Sequence, residues 1–95
     1  MGLEFEWDRD KAKKNLRKHS VSFEEASSVF ADPLALTIHD PTHSDEEDRY
    51  VTIGESNRRR LLVVVFTDRD DRIRIISATT ATRQERKDYE EGTGR

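Results

Sequence analysis

Polar and apolar positions alternate with a period of two in short stretches of the chain, a pattern that predicts β-strands. Residues 4–8, 49–53 and 72–76 alternate in this way, and residues 34–39 are largely apolar and β-prone. Residues 61–66 are apolar at every position. Such a run indicates a central strand that is covered on both faces. The chain therefore carries five predicted strands.

A helical pattern begins after Asp8, which stands where a helix over residues 9–19 would need its N-cap. Ala12 and Leu16 are four positions apart and form a narrow apolar stripe on that helix. Three basic residues share another side of it, namely Lys11, Lys14 and Lys18. The pattern predicts a basic, amphipathic first helix.

A second helix is predicted from a capping box, with the Ser22 hydroxyl at the N-cap and the Glu25 carboxylate three positions later. Its apolar positions follow at helical spacing: Phe23, Ala26 and Phe30. Pro33 ends this helix, because proline disfavours helical geometry in the residue before it. A third helix is expected near the C-terminus, over residues 82–91.

The predicted order is β-α-α-β-β-β-β-α, which belongs to the α+β class. We expect a small, mostly antiparallel sheet, because the loops between the later strands are too short for crossovers. A chain of 95 residues provides one hydrophobic core. We therefore expect a single domain over residues 1–91 and a flexible tail over residues 92–95.

Charge is segregated along the chain although the net charge is only −3. Residues 1–20 carry six Lys or Arg against four acids, and residues 21–48 carry eight acids and no Lys or Arg. Residues 49–83 carry eight Arg against four acids. This arrangement permits separate basic and acidic surfaces on the folded molecule.

The composition excludes some kinds of site and indicates the cellular compartment. The sequence has no cysteine, which excludes disulfides and thiolate metal sites. The chain opens without a basic and apolar leader, and its longest apolar run, 61–66, is too short to cross a bilayer. We therefore expect a cytoplasmic protein without membrane contact.

Several segments of this chain match a known pattern in order and spacing. They are Phe5-x-Trp7-Asp8-x-x-Lys11-Ala12-x-x-Asn15-x-x-Lys18-His19, Val21-x-Phe23-Glu24-Glu25-Ala26-x-x-Val29-Phe30-x-Asp32, Glu47-Asp48-Arg49-Tyr50 with Gly54, Leu62-Val63-Val64-Val65-Phe66-Thr67, and Arg72-Ile73-Arg74-Ile75-Ile76-Ser77-Ala78 with Tyr89. Together these segments resemble the BrnT family of ribonuclease toxins.

The resemblance implies a RelE-like fold, in which helices pack on one face of a twisted antiparallel sheet. It also implies a ribonuclease that halts translation and is neutralised by a BrnA-like ribbon-helix-helix antitoxin. Operator DNA would be contacted only through that antitoxin. No cofactor is expected.

Two positions depart from the family pattern. Ser20 stands where the family usually has glycine, and Thr79-Thr80 stands where basic residues usually follow. If an arginine there normally contacts RNA, Arg83, one helical turn away, is placed to compensate. The alternative function is an antitoxin-binding protein that no longer cleaves RNA.

Metal-free RNA cleavage needs a base for the attacking 2′-hydroxyl, cations for the phosphorane and an acid for the leaving oxygen. His19 is the first candidate for proton transfer, because it lies beside a cationic helix side and its type of side chain titrates in the required range. Lys14 and Lys18 are the accompanying RNA-binding candidates. The alternative is that His19 only caps its helix and packs on Leu16.

Strand arginines are the second set of candidates. Arg72 and Arg74 project to the side opposite the neighbouring isoleucines, so both are expected on an exposed sheet face. Arg49 could hold a phosphate bidentately, and Tyr50 is a candidate for RNA binding. The competing explanations are local ion pairs for Arg49 and, for the other two arginines, a charged edge strand.

The last helix adds Arg83 and Tyr89, the latter as a stacking or proton-donating group or as a partly buried core residue. The predicted catalytic set is His19, Arg49, Arg74, Arg83 and Tyr89. The predicted RNA-binding set is Lys14, Lys18, Tyr50 and Arg72. Arg58-Arg59-Arg60 resembles a phosphate-binding run that could add affinity without specificity, but a solvated hairpin loop is the preferred explanation.

A metal-dependent hydrolase is the remaining alternative. His39, Asp40, His43 and Asp45 are residue types that suit zinc or a harder cation. Because they fall in an irregular acidic stretch beside Pro41, a loop without metal is the preferred interpretation.

Overall fold

The computed structural model describes residues 3–40 and 47–93. Its elements in chain order are β1 (Glu4–Trp7), α1 (Arg9–His19), α2 (Phe23–Ser28), a 3-10 turn (Val29–Ala31), β2 (Leu36–Asp40), β3 (Arg49–Glu55), β4 (Leu61–Arg69), β5 (Arg72–Thr80) and α3 (Arg83–Thr93). The fold is α+β, as expected, and the 3-10 turn is an addition to the predicted order. Helix α3 extends into residues 92 and 93, which the sequence assigned to a tail.

The described strands form one mixed sheet in the order β1-β5-β4-β3-β2. The pairs β2–β3, β3–β4 and β4–β5 are antiparallel, whereas β1 pairs with β5 in parallel. The expectation of a mostly antiparallel sheet therefore needs correction at this edge. Short loops force only the later strands to be antiparallel. β1 and β5 are far apart in the sequence, with Glu4 paired to Arg72, so no short loop sets their relative direction.

The antiparallel strands are longer than the sequence pattern predicted. β4 continues past its apolar run to Arg69, so the turn before β5 consists of only Asp70 and Asp71. Asp70 takes a positive φ of 56°, a conformation that aspartate tolerates better than most residues. Hydrogen bonding to a neighbouring strand extends an element beyond its apolar pattern.

Both faces of the sheet are covered, by different helices. Helices α1 and α2 cover the inner face, where the main core includes Phe23, Leu62 and Ile75. Helix α3 packs on the outer face against a smaller cluster of Ile53, Leu61 and Val63. The prediction that the central strand is covered on two sides is confirmed, but the implied placement of the helices on one face is wrong for α3.

Gly54 marks the closest approach of the 3-10 turn to the sheet. A Cβ at this position would lie 2.7 Å from Cγ1 of Val29 and 3.1 Å from Cβ of Ala35. Such distances are too short for any side chain, so the glycine allows this packing. This is a physical reason for the glycine in the sequence pattern.

Helix α1 has well-formed ends. Asp8 accepts hydrogen bonds from the backbone N–H groups of Asp10 and Lys11, at 2.8 and 3.0 Å, as expected of an N-cap. At the other end Ser20 takes the left-handed conformation, with φ 58° and ψ 30°, and its N–H bonds to Leu16. A glycine is the usual residue in this position.

We expect Ser20→Gly to stabilise the fold by about 0.5–1 kcal/mol, because a left-handed conformation costs an ordinary residue more than glycine loses in chain entropy. Chemical denaturation measures this difference. Ser27→Gly, inside α2, is the matched control and should destabilise by about 1 kcal/mol. A loss of stability in both variants would contradict the explanation.

Asn15 closes the part of β5 that β1 does not reach. β1 ends at Trp7 opposite Ile75, and beyond that point the Asn15 amide takes the place of a neighbouring strand. Its Nδ2 donates to the carbonyls of Ala78 and Val21 at 2.7 and 3.0 Å, and its Oδ1 accepts from the Ala78 N–H at 3.1 Å. Asn15 thus fixes α1 against the sheet.

Glu25 departs from the predicted capping box. The Ser22 hydroxyl accepts from the Glu25 N–H at 3.0 Å, as predicted, but the carboxylate points into the protein. There it accepts from the hydroxyl of Ser56 at 2.7 Å and from Nε of Arg60 at 2.9 Å. Arg60 is therefore a structural partner of Glu25, which corrects the interpretation of residues 58–60 as a purely solvated run.

None of the helices in the described part of the chain combines the length and the hydrophobicity that crossing a bilayer requires.

Candidate functional site

An open cleft of about 170 Å³ runs along the basic side of α1. Its lining is formed by Lys11, Lys14, Asn15, Lys18, His19 and Ile76. Three of the predicted site residues, His19, Lys14 and Lys18, therefore come together, as their spacing on one helix suggested. No Asp or Glu is among the described residues that line this α1 cleft.

No salt bridge joins these three lysines to a carboxylate among residues 3–40 and 47–93, although the charge of Lys11 acts on the Asp8 carboxylate. Their positive charge is therefore available to an incoming anion. Because α1 is held to the sheet by Asn15, the lysines are presented on a fixed backbone. The arrangement can bind one or more phosphate groups.

The floor of the α1 cleft comes from an irregularity in β5 that the sequence pattern did not reveal. Val65 pairs with Ser77 and Phe66 pairs with Ile75, so Ile76 is an extra residue without a cross-strand partner. Such a bulge turns a side chain away from the regular alternation. It brings Ile76 under the lysines, where an apolar surface can contact a sugar or a base.

A second group of predicted residues lies in one row across the outer face of the sheet. Strand pairing aligns Asp40 on β2, Arg49 on β3, Thr67 on β4, Arg74 on β5 and Glu6 on β1. Directly paired residues project to the same face. Arg49 and Arg74 therefore flank Thr67, as expected for two strand arginines that face the same side.

Carboxylates engage the arginines at one end of this outer-face row. Glu6 is within 3.2 Å of Arg74, 3.3 Å of Arg72 and 3.4 Å of Arg69. Hydrogen bonds from Arg72, and next from Arg74, lower the pKa of the Glu6 carboxyl. Arg72 is therefore ion-paired. The alternative of a charged edge strand is wrong, because β5 lies between β1 and β4. Arg49 also has an interaction partner.

The charge of the outer-face row reaches the start of α1. The pKa of Asp8 is lowered chiefly by the Lys11 N–H, and the charge of Arg74 also contributes. His19 lies eleven residues after Asp8, or about 16 Å along the helix at about 1.5 Å per residue. Anions bound beside Asp8 and beside His19 would therefore be separate.

Tyr50 lies away from both groups, on the inner face of the sheet. Its ring stacks on Phe66 with the centroids 5.6 Å apart and meets the ring of His39 edge to face. With four acidic residues it lines a separate cleft of about 360 Å³: Glu47, Asp48, Asp68 and Asp70. Negative potential in this acidic cleft opposes a phosphate backbone.

Tyr89 and Arg83 are on α3 and are also separate. Tyr89 packs on the small outer core, and its hydroxyl donates to the Asp32 carboxylate at 2.8 Å. Desolvation by burial, and then the Asp32 hydrogen bond, raise the pKa of Tyr89 to about 12. Arg83 begins α3 beyond the end of β5, and the six residue steps from Arg74 to Thr80 span about 20 Å.

Two of the four candidate ligands of the alternative metal site, His43 and Asp45, lie outside the described residues. Within residues 3–40 and 47–93, no group of three or more His, Asp or Glu is arranged to hold a metal ion. His39 instead contacts Asp48, with 3.2 Å between Nε2 and Oδ1.

Six residues of these two surfaces were absent from the predicted site: Lys11, Asn15, Ile76, Glu6, Asp40 and Thr67. Lys11 shares the helix side of Lys14 and Lys18, so its spacing was a sufficient signal. Ile76 and Thr67 acquire their positions from strand register and a bulge. Neither has a local sequence signal.

Comparison with known proteins supplies the family. A family model described as "Ribonuclease toxin, BrnT, of type II toxin-antitoxin system" matches residues 7–85, which is most of the chain. The chain belongs to the BrnT family. It is therefore a ribonuclease toxin of a toxin–antitoxin system, and the resemblance seen in its sequence is confirmed. Membership of a type II system implies an antitoxin partner.

The fold agrees with a solved BrnT structure. The crystal structure of the Brucella abortus ribonuclease toxin BrnT is 24% identical in sequence, covers 86% of this chain and 100% of its own, and gives a TM-score of 0.63. This likeness supports the shared fold. No curated protein matches the chain by sequence.

Proposed function

We propose that this BrnT protein cleaves RNA without a metal ion and thereby inhibits translation, with the reacting phosphate in the α1 cleft. The observation that carries this proposal is the convergence of His19, Lys14 and Lys18 in a cleft that no described carboxylate lines. A proton-transfer group beside unpaired cations is what phosphodiester cleavage by a neighbouring 2′-hydroxyl requires.

The chemistry needs no group beyond these side chains. The 2′-oxygen forms a bond to phosphorus and loses its proton, while the bond from phosphorus to the 5′-oxygen breaks and that oxygen gains a proton. His19 is placed to carry one of these protons. Lys14 and Lys18 offset the charge that accumulates on the phosphorane oxygens.

Arg49 and Arg74 are proposed to bind a neighbouring phosphate rather than the reacting one, because the charge of Arg74 acts on Asp8 at the start of α1, whereas His19 is the last residue of that helix. Arg72 is proposed to support Arg74 through their shared contact with Glu6. We assign no contact with RNA to Tyr50, Arg83 or Tyr89, whose surroundings are acidic or remote from the cleft.

The antitoxin is proposed to be a BrnA-like ribbon-helix-helix protein, and operator DNA would be contacted through it alone. Neutralisation then requires only that the antitoxin covers the α1 cleft or the outer-face row. We also propose that the protein acts in the cytoplasm, where its substrate is found.

The direct test is cleavage of RNA by the purified protein in the presence of EDTA. We expect cleavage to persist, and His19→Ala to lower the rate by about a hundredfold or more, which is the usual contribution of a proton-transfer group. His39→Ala is the matched control, because His39 lies on β2 beside Asp48. Loss of cleavage with EDTA, or equal activity of both variants, would contradict the mechanism.

Salt dependence tests the lysines separately. With a 2′-O-methyl RNA, which cannot react, replacing Lys14 and Lys18 together by alanine should flatten the plot of log affinity against log salt by about 1.4, or about 0.7 for each lost phosphate contact. The control replaces Lys13, on the other side of α1, and Lys87, on α3. An equal change in both double variants would mean that only net charge matters.

The second candidate function is an antitoxin-binding protein that no longer cleaves RNA. The observation in its favour is the pairing of Arg69, Arg72 and Arg74 with Glu6, which offsets their charge. The test is to replace Thr79 and Thr80 by arginine. Toxicity that appears only in this variant would support the second candidate.

A further inference from the structure

Thr67 occupies the middle of the outer-face row and has an unusual environment. Only 3% of the residue is exposed, and its Oγ1 is the single buried side-chain polar atom without a hydrogen-bond partner among the described residues. A buried hydroxyl normally finds a partner, since leaving it unpaired is unfavourable. The hydroxyl therefore requires an explanation.

Strand propensity alone does not explain a threonine here. Valine has the same shape and β-propensity and would fill the position without burying a polar atom. The neighbours across the strands are Arg49 and Arg74, one on each side. Neighbouring strands are about 4.8 Å apart, so both guanidinium groups can reach an anion located above Thr67.

We propose that the Thr67 hydroxyl, together with Arg49 and Arg74, binds a phosphate oxygen of the RNA strand. This inference rests on the proposed ribonuclease function and adds a second phosphate subsite to it, distinct from the α1 cleft. The hydroxyl donates to the phosphate, and the two guanidinium groups neutralise its charge. Hydrogen bonds to a charged group are about twice as strong as neutral ones.

Glu6 and Glu47 are the competing anions of this subsite. A hydrogen bond from Arg69, and then the charges of Arg69, Arg74 and Arg49, lower the pKa of the Glu47 carboxyl. Glu6 competes more directly for Arg74. Its carboxylate is hydrogen-bonded to Arg74 at 3.2 Å and lies at the end of the same row. A bound phosphate therefore shares Arg74 with a resident carboxylate. Glu6→Gln should therefore raise the affinity for RNA, whereas removal of the Thr67 hydroxyl should lower it.

The test measures binding of a single-stranded 2′-O-methyl RNA and thermal stability for the same variants. Thr67→Val should lower the affinity about tenfold, the usual effect of one hydrogen bond to a charged group. The same change should raise Tm by about 4 °C or more, because it removes an unpaired buried hydroxyl. Thr67→Ser keeps the hydroxyl and should retain the affinity while lowering Tm.

Thr52→Val is the matched control. Thr52 is also buried on the same sheet, but it faces the inner side and its Oγ1 is bonded to that of Thr37 at 2.9 Å. We expect this variant to lower Tm and to leave RNA binding unchanged. The proposal is overturned if RNA affinity rises and falls together with Tm in Thr67→Val, Thr67→Ser and Thr52→Val. It is also overturned if Thr67→Val binds RNA as tightly as the wild type.

Inorganic phosphate separates the two sources of the anion. If phosphate raises Tm of the wild type but not of Thr67→Val, while RNA affinity is the same in both, the subsite takes the free ion and the assignment to RNA is wrong. The proposed ribonuclease function and the proposed phosphate subsite can be tested separately. A wild type that binds RNA through Thr67 but does not cleave it would retract the ribonuclease mechanism and keep the subsite.

Discussion

Glu25→Ala is expected to destabilise the protein by about 3–5 kcal/mol, the usual cost of breaking a buried ion pair by removing one partner. Only 4% of the Glu25 side chain is exposed, and Arg60 contacts both of its carboxylate oxygens. The substitution leaves the Arg60 guanidinium without its carboxylate and removes the acceptor of the Ser56 hydroxyl. Urea denaturation at neutral pH measures the loss.

Two further variants isolate the cause. Glu24→Ala, at the exposed neighbouring position of the same helix, should change stability by less than about 1 kcal/mol. Replacing Glu25 by leucine and Arg60 by methionine together should recover most of the loss, because a well-packed apolar pair often substitutes for a buried ion pair. If the double variant is as unstable as Glu25→Ala, the orphaned charge is not the cause.

Acid should reduce the effect of the same substitution. The hydrogen bond from Arg60 is the largest influence that lowers the pKa of Glu25 below its ordinary value of 4.5. A group whose pKa is lowered by folding stabilises the fold above its unfolded pKa, and this contribution is lost as the pH falls through the folded value. The difference between wild type and Glu25→Ala should therefore be full at pH 7 and shrink well below pH 4.5.

Asn15→Asp is expected to lower the free energy of unfolding by about 3 kcal/mol or more, although it only replaces the side-chain NH2 group by an oxygen. The amide nitrogen donates two hydrogen bonds, to the carbonyls of Val21 and Ala78. An aspartate oxygen in this place donates none and faces two carbonyl oxygens in a site where Asn15 is only 7% exposed. Losing two buried hydrogen bonds and burying a charge without a donor explains the magnitude.

Thermal denaturation measures the effect, and Asn57→Asp on the exposed loop after β3 is the control. We expect Asn15→Ala to destabilise by about 2–3 kcal/mol, since it leaves the Ala78 N–H and two carbonyls without partners. RNA cleavage should fall in both variants because α1 loses its attachment beside Ile76. If Asn15→Asp is as stable as the wild type, water must supply the hydrogen bonds that the Asn15 amide makes.

The sequence predicted well what depends on neighbouring residues. The alternation of 72–76 located β5, and the cap at Asp8 located the start of α1. It also placed Lys14 and Lys18 on one side of a helix and His19 next to that side, because side chains three and four positions apart share a side whatever surrounds the helix. The basic part of the candidate site was predictable for this reason.

Only the tertiary structure decided which distant segments meet. No local pattern indicated that β1 would lie parallel to β5, that the Glu25 carboxylate would leave its own helix for Arg60, or that a bulge would bring Ile76 under α1. The outer-face row likewise exists only because register across five strands aligns Thr67 with its flanking arginines. Local conformation follows from steric preferences and hydrophobic periodicity. Pairing between residues more than sixty positions apart follows from which arrangement buries the apolar faces and satisfies the buried polar groups together.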